Sequence, residues 1–188
     1  MTSDVILGLD ISTSCTGISF LDGDGTLRHL SFCQLSGLED SYEKGEVLVK
    51  RIKEIGIVPT RIVVEEHLLG FRPGMSSAGV LITLAKFNAT VCHLLYREFG
   101  IKADEIPAVS ARKYVQLKVP KGADAKACVM EWCKQCIPDY VWPTKVLKGG
   151  PRKGQIVLES GCADAADAYL LAKSFILKMK EEKTIIGS

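Results

Sequence analysis

Two short apolar runs, Val5-Ile-Leu-Gly-Leu-Asp10 and Ile62-Val-Val-Glu65, each close on an acid. Continuous apolar runs of this length read as strands buried on both faces, which need helices above and below one sheet. An acid ending such a strand is costly unless something positive shares its surroundings. A third segment, Ala163-Asp164-Ala-Ala-Asp167-Ala168, reads as helix. Asp164 and Asp167 are three apart, so they share a helix face with roughly 5–6 Å between Cβ atoms. The alanines around them let that face approach a sheet closely. If Asp10, Glu65, Asp164 and Asp167 converge, a pair of divalent cations about 3.5–4 Å apart would neutralise all four. The chemistry such a pair supports is phosphodiester hydrolysis: one cation activates a water, the other stabilises the leaving 3′ oxygen.

The rest of the chain fits an α/β order. Residues 5–10, Ile18–Leu21 and Leu27–Leu35 read as an antiparallel meander. Ser12–Gly17 is a small-residue turn, and Asp22-Gly-Asp-Gly25 marks a hairpin. Val47, Leu48, Ile52 and Ile55 give residues 40–55 an amphipathic helical pattern, and Ile62–Glu65 follows as a strand. Residues 76–99 predict a long helix that is apolar on more than one side, the mark of a core helix, a dimer contact or both. Ala103–Pro107 reads as a short strand, and Ser110 as the cap of a brief helix to Val115. Ala123–Cys136 reads as a helix, Lys148-Gly-Gly-Pro-Arg-Lys-Gly154 as a mobile basic loop, and Ala163–Met179 as the last helix. The expected order is βββαβαβαα, a mixed sheet with helices on both faces. No internal repeat or domain boundary interrupts residues 1–188.

A net charge of +2 decides nothing about nucleic acid, but its distribution does. Arg112, Lys113, Lys118, Lys121, Lys126, Lys134, Lys145, Lys148, Arg152 and Lys153 crowd one stretch whose only acids are Asp124, Glu131 and Asp139. That stretch can carry a basic face. The 7 cysteines are an odd number scattered through apolar runs, which points to buried thiols in a reducing, intracellular compartment. No apolar stretch is expected to approach the length of a membrane helix, so no membrane partner is expected. The first strand is expected to begin near Asp4 or Val5, so no signal or transit peptide is expected within residues 1–188.

With their order and spacing, Ile-Leu-Gly-Leu-Asp10-Ile-Ser-Thr-Ser-Cys-Thr-Gly17, Val-Val-Glu65-Glu66 and Ala-Asp164-Ala-Ala-Asp167-Ala resemble the three acidic motifs of the RuvC-type Holliday junction resolvases. The resemblance spans nearly the whole chain. It implies the RNase H-like fold of the retroviral integrase superfamily, three antiparallel strands followed by parallel ones. It also implies a homodimer built on helix 76–99 that nicks a four-way DNA junction symmetrically, with two Mg²⁺ per active site, or Mn²⁺ in their place. A C2 dimer suits a two-fold symmetric substrate. Ser110-Ala-Arg112 onward to Lys126 is similar to the family segment leading into the last motif, and Lys126 falls where the family has a basic residue near the scissile phosphate. Strand alternation sends Glu65 and Glu66 to opposite faces, so only one can join the acids, and the motif match favours Glu65.

The departures are specific. The family's aromatic wedge position holds Leu68, with Phe71 close by as a substitute able to stack on a base. Another basic position falls on Val115, flanked by Lys113 and Lys118. The Pro143–Gly161 connection is longer than usual, and Lys148, Arg152 and Lys153 in it can track a DNA backbone. These features suggest a divergent relative of viral, phage or organellar origin, or one associated with a nucleoid. His67 reads either as a neighbour of the acids or as a surface residue. Cys133-Lys-Gln-Cys136 resembles a redox motif but sits at the end of a helical pattern, where no lowered thiol pKa is expected. Three other functions compete. Gly8-Leu-Asp10-Ile-Ser-Thr-Ser14 also resembles the phosphate motif of actin-like ATPases, which need two lobes. A non-catalytic junction binder has no need of four acids. A flap or RNA–DNA hybrid nuclease shares the same phosphate chemistry.

Overall fold

The computed structural model describes residues 4–66 and 78–186. Five strands form a mixed sheet in the order β3-β2-β1-β4-β5: β1 (Val5–Asp10), β2 (Cys15–Asp22), β3 (Leu27–Gln34), β4 (Arg61–Glu65) and β5 (Asp104–Ile106). The meander is antiparallel, while β4 runs parallel to β1 and β5 parallel to β4. The α/β reading of a mixed sheet, three antiparallel strands followed by parallel ones, therefore stands.

Side-chain alternation along each strand divides the core in two. Val5, Leu7 and Leu9 of β1, with Ile62 and Val64 of β4, face α1 (Ser41–Glu54) and α2 (Ala78–Phe99), meeting Leu48, Ile52, Phe87, Val91 and Leu95. Ile6 and Val63 point the opposite way. That face is covered by α3 (Ala108–Tyr114), α4 (Ala125–Cys136) and α5 (Gly161–Ile186) through Ala111, Val129, Cys133, Tyr169 and Leu170. Asp10 has the parity of Ile6, and Glu65 that of Val63, so both acids belong to the α5 face. Glu66 takes the other parity.

Helix α5 lies unusually near the sheet because of glycines. A Cβ on Gly8 would meet Ala172 Cβ and Ser19 Oγ at 2.9 Å, and one on Gly17 would run into the Asp164 backbone. Ala165, Ala166, Ala168 and Ala172 supply the matching small surface. Ser19 Oγ donates to the Ala168 carbonyl at 2.8 Å, which pins the helix across β2.

Several boundaries differ from the sequence reading. The Ser12–Gly17 turn is shorter, since β2 already begins at Cys15. Ser110 caps nothing: α3 starts at Ala108 after Pro107, whose fixed φ of −61° sets the helix entry without a side-chain bond. Instead, Asp40 and Asp124 cap α1 and α4 by accepting from backbone N–H groups. The basic stretch 148–154 is irregular turn, as read, but it joins two strands that the sequence reading lacks. Thr144–Val146 (β6) and Ile156–Leu158 (β7) pair as an antiparallel ribbon around the basic turn. Three-residue strands that bury this little carry no pattern of burial to mark them. Helix α5 also extends well past Met179.

One expectation is corrected outright. Gly79–Phe99 is long and apolar enough, by length and composition, to cross a membrane. Thr83, Lys86, Asn88 and Thr90 break its apolar residues into short groups, which hid its overall hydropathy. In this fold Phe87, Val91 and Leu95 serve as core residues against the sheet.

Candidate active site

The pairing Gly8↔Val63 and Leu9↔Val64 sets the ends of β1 and β4 side by side, so Asp10 and Glu65 follow as neighbours at the same edge. Helix α5 crosses above them and brings Asp164 and Asp167 to the same place. Lys126, at the start of α4, completes the group: its Nζ lies 3.0 Å from Asp164 Oδ1 and 3.6 Å from Asp167 Oδ2. Asp124 accepts from the Lys126 backbone N–H at 3.0 Å and so fixes where the helix begins.

Two adjoining depressions meet at Glu65 and Lys126. One, of about 300 Å³, is lined by Asp10, Ser12, Ser14, Asn88 and Asp164 among others. Its neighbour is lined by Ala108, Ala111, Arg112, Val129 and Asp167 among others. Arg112 thus reaches the acids from α3, whereas Lys113, Lys118 and Lys121 are exposed along α3 and the segment after it. Lys148, Arg152 and Lys153 are exposed on the β6–β7 turn, in a different part of the fold. Phe71, His67 and Leu68 lie outside the described residues.

The electrostatics match a crowded anionic site. Burial raises the Asp10 carboxyl well above its ordinary value, and Asp167, Glu65 and Asp164 push it further. Asp167 is pushed up to about 6, chiefly by burial, with Lys126 opposing and Glu65 and Asp164 adding to the rise. Glu65 is raised by burial against the pull of Arg112 and Lys126. Lys126 moves upward because its favourable pairing with Asp164 and the neighbouring acids outweighs its own, opposing burial.

Sequence reasoning missed two neighbours of these acids. Asn88 of α2 is 5% exposed and lines the same depression, and its Oδ1 accepts from Cys92 Sγ at 3.2 Å. A polar residue inside a strongly apolar helix was the available signal. Cys15 lies beside Asp164, and its thiol is pushed up to about 12 by burial first and then by that carboxylate. Cys15, Cys33, Cys133 and Cys162 are buried as separate thiols, and Cys133 and Cys136 lie within α4.

A divalent cation suits the donors here. Four carboxylates are hard oxygen ligands, their mutual repulsion is what a cation relieves, and the Lys126 ammonium already takes that place against Asp164 and Asp167. Among the described residues, however, no three His, Cys, Asp or Glu side chains are gathered closely enough to enclose a metal as they stand.

No protein-family model matches the chain, and no protein of curated function matches it in sequence. Solved structures do. A Thermus thermophilus RuvC bound to a Holliday junction substrate superposes with a TM-score of 0.64 at 16% identity, covering 94% of this chain and 96% of that one. A second Thermus thermophilus RuvC structure gives 0.59 at 19% identity, over 94% and 96% of the two chains. The yeast mitochondrial Holliday junction resolvase gives 0.60 at 15% identity, over 96% of this chain and 81% of that one. The order of strands, the helices on both faces and these superpositions agree: the chain has the RNase H-like fold of the RuvC-type resolvases.

Proposed function

We propose that residues 1–188 act as one structure-selective DNA endonuclease domain that resolves four-way junctions by metal-dependent phosphodiester hydrolysis. The observation that carries this reading is the convergence of Asp10, Glu65, Asp164 and Asp167, from three separate segments, at one edge of a resolvase-like sheet beside Lys126. The four acids would hold two Mg²⁺, with Mn²⁺ as a substitute. When bound, the cations would supply an activated water and neutralise charge developing on the leaving oxygen.

The chain's own groups have separable tasks. Asp10 and Glu65 sit on rigid strand ends, which fixes their positions. Asp164 and Asp167 ride on a helix held by close backbone packing, so their separation from the strands is set by Gly8 and Gly17. Lys126 holds a positive charge at the acids and offers a donor to a phosphate oxygen. Arg112 adds a second cation near Glu65, in the depression that also holds Lys126 and Asp167. Lys113, Lys118 and Lys121 extend that charge along α3 and the segment after it as phosphate contacts. Phe71 is proposed to stack on an unpaired base.

Resolution of a symmetric junction needs two sites, and the proposed homodimer forms through α2. Val80 and Ile82 on this helix are more than half exposed, next to a depression shared with Ser12, Thr13 and Leu84. The protein is proposed to act in a reducing, DNA-containing compartment of cellular, organellar or viral origin.

The test is cleavage of a labelled synthetic four-way junction in Mg²⁺, beside linear duplex, flap and RNA–DNA hybrid of the same sequence. Paired symmetric nicks on the junction alone are expected, and Asp10→Asn should abolish them while junction binding persists. Preferential cutting of the flap or hybrid would keep the site and overturn the substrate. Binding without cleavage in either metal would overturn the enzyme.

A further inference from the structure

The β6–β7 ribbon stands apart from the acid site yet is tied to it. Its base is fixed at several points. Tyr140 Oη donates to the Leu30 carbonyl at 2.7 Å and packs edge-on against Trp142 at 4.9 Å. The Glu159 backbone N–H donates to the Pro143 carbonyl at 3.0 Å, and Cys162 Sγ donates to the same carbonyl at 3.4 Å. Cys162 is two residues before Asp164, so the helix that carries two of the acids also anchors the ribbon.

Beyond that base the ribbon is exposed and of one sign. Lys145, Lys148, Arg152 and Lys153 are all exposed, and residues 140–158 contain no acid. None of these four cations has a salt bridge among the described residues. Val146 and Ile156 face each other across the ribbon and are 57% and 72% exposed. A lysine on a short exposed strand guards against edge-to-edge pairing. That need explains Lys145, but not four unpaired cations flanking an exposed apolar pair. A two-stranded ribbon has the width of a DNA groove, and its cations would fall against the phosphates on either side.

We infer that the β6–β7 ribbon is a duplex-binding arm, which seats in a groove of the DNA flanking the cleavage point with Val146 and Ile156 against the sugars and the four cations on the phosphates. This inference rests on the proposed junction endonuclease and names a second contact, outside the acid site, through which that enzyme holds an arm of its substrate.

The experiment measures junction affinity across a salt series, in Ca²⁺ to block cleavage, for the full chain and three variants. The first replaces Lys145, Lys148, Arg152 and Lys153 with alanine. The second is Val146→Asp with Ile156→Asp. The third, a control, replaces Lys44 and Lys50 of α1, on the opposite face of the sheet. All the ribbon side chains concerned are exposed, so the fold should survive, and circular dichroism checks that it does. The four-alanine variant should bind about 10–100-fold more weakly and show a salt slope shallower by roughly 3–4, close to 0.9 per cation lost. The aspartate pair should also lose about tenfold or more, and the control should bind as the unaltered chain does. If the unaltered chain binds and cleaves the junction but either ribbon variant matches its affinity and slope, the ribbon inference fails and the endonuclease reading survives. If the unaltered chain neither binds nor cleaves, both fail.

Discussion

Lys126 and Asp164 form an ion pair of 3.0 Å between side chains 58% and 17% exposed, and no other cation lies within 4.0 Å of any of the four acids among the described residues. The lysine therefore occupies the position in which a divalent cation would be most useful. A metal and an ammonium cannot both take the same carboxylate oxygens at full strength. Replacing Lys126 with methionine keeps the length of the stem and removes the competitor. Mn²⁺ affinity, read from the free-ion paramagnetic resonance signal, should rise by about 3–10-fold, the scale of a partly exposed ion pair. Junction cleavage should fall, because the proposed donor to phosphate is gone. Unchanged or weaker Mn²⁺ binding would show that the lysine and the cation do not share these acids.

The raised carboxylates make the pH dependence of stability unusual. An acid whose pKa is higher in the fold than in the unfolded chain favours the fold while protonated, and this advantage disappears as pH rises between the two values. For Asp167 the window runs from the ordinary value of 3.8 to about 6. Across it the metal-free protein should lose on the order of 2–3 kcal/mol from this residue. Urea unfolding in EDTA at about pH 5 and about pH 7.5 reads the upper part of that loss, about 1–1.5 kcal/mol. Asp167→Asn should remove this residue's share of the difference, leaving that of Asp10 and Glu65, and be the more stable protein at the higher pH. Divalent cation should restore the native protein at pH 7.5 and help the variant less. A metal-free protein that gains stability over this window would overturn the assignment.

Gly17 sets how near α5 can come to β2. A Cβ there would strike the Asp164 carbonyl group and come within 2.8 Å of Ala165 N, all of it backbone with no rotamer to yield. Gly17→Ala should cost about 1–3 kcal/mol in urea unfolding, the usual penalty of overpacking. It should also lift Asp164 away from Asp10 and reduce cleavage more than any loss of folded protein explains. Gly23→Ala, where the nearest contact would be 3.3 Å to the Asp4 side chain, is the matched control with a much smaller cost.

The parts of this arrangement that sequence revealed are those governed by periodicity and small side chains. The parity of Asp10 and Glu65 follows from counting along two apolar strands, and the close approach of α5 follows from its alanines. The ribbon was hidden because Thr144–Val146 and Ile156–Leu158 bury little, so they show no alternation of burial. The start of α3 was misplaced because proline fixes a helix entry by its ring rather than by a capping oxygen. Asn88 escaped notice because its helix is dominated by apolar residues, and a single amide does not alter the pattern that defines such a helix.

That amide supports a further expectation. Asn88 is buried, lines the depression that holds Asp10, Glu65, Lys126 and Asp164, and has its Oδ1 engaged by the Cys92 thiol. An uncharged side chain here limits the negative charge that the metal-free site must carry. Asn88→Asp is nearly isosteric and adds a fifth carboxylate in surroundings that already raise the acids. In EDTA at about pH 8 it should lower stability by about 1–2 kcal/mol, or roughly 2–8 °C for a domain of this size. At about pH 5.5 the deficit should shrink, because the added acid can take up a proton in the fold. Mg²⁺ should stabilise the variant more than the native protein, since the extra charge deepens the site's attraction for a cation. Thermal melts of both proteins at the two pH values, with and without Mg²⁺, give all of these quantities. A deficit that is the same at both pH values and insensitive to Mg²⁺ would mean that Asn88 is a packing residue electrostatically separate from the acids.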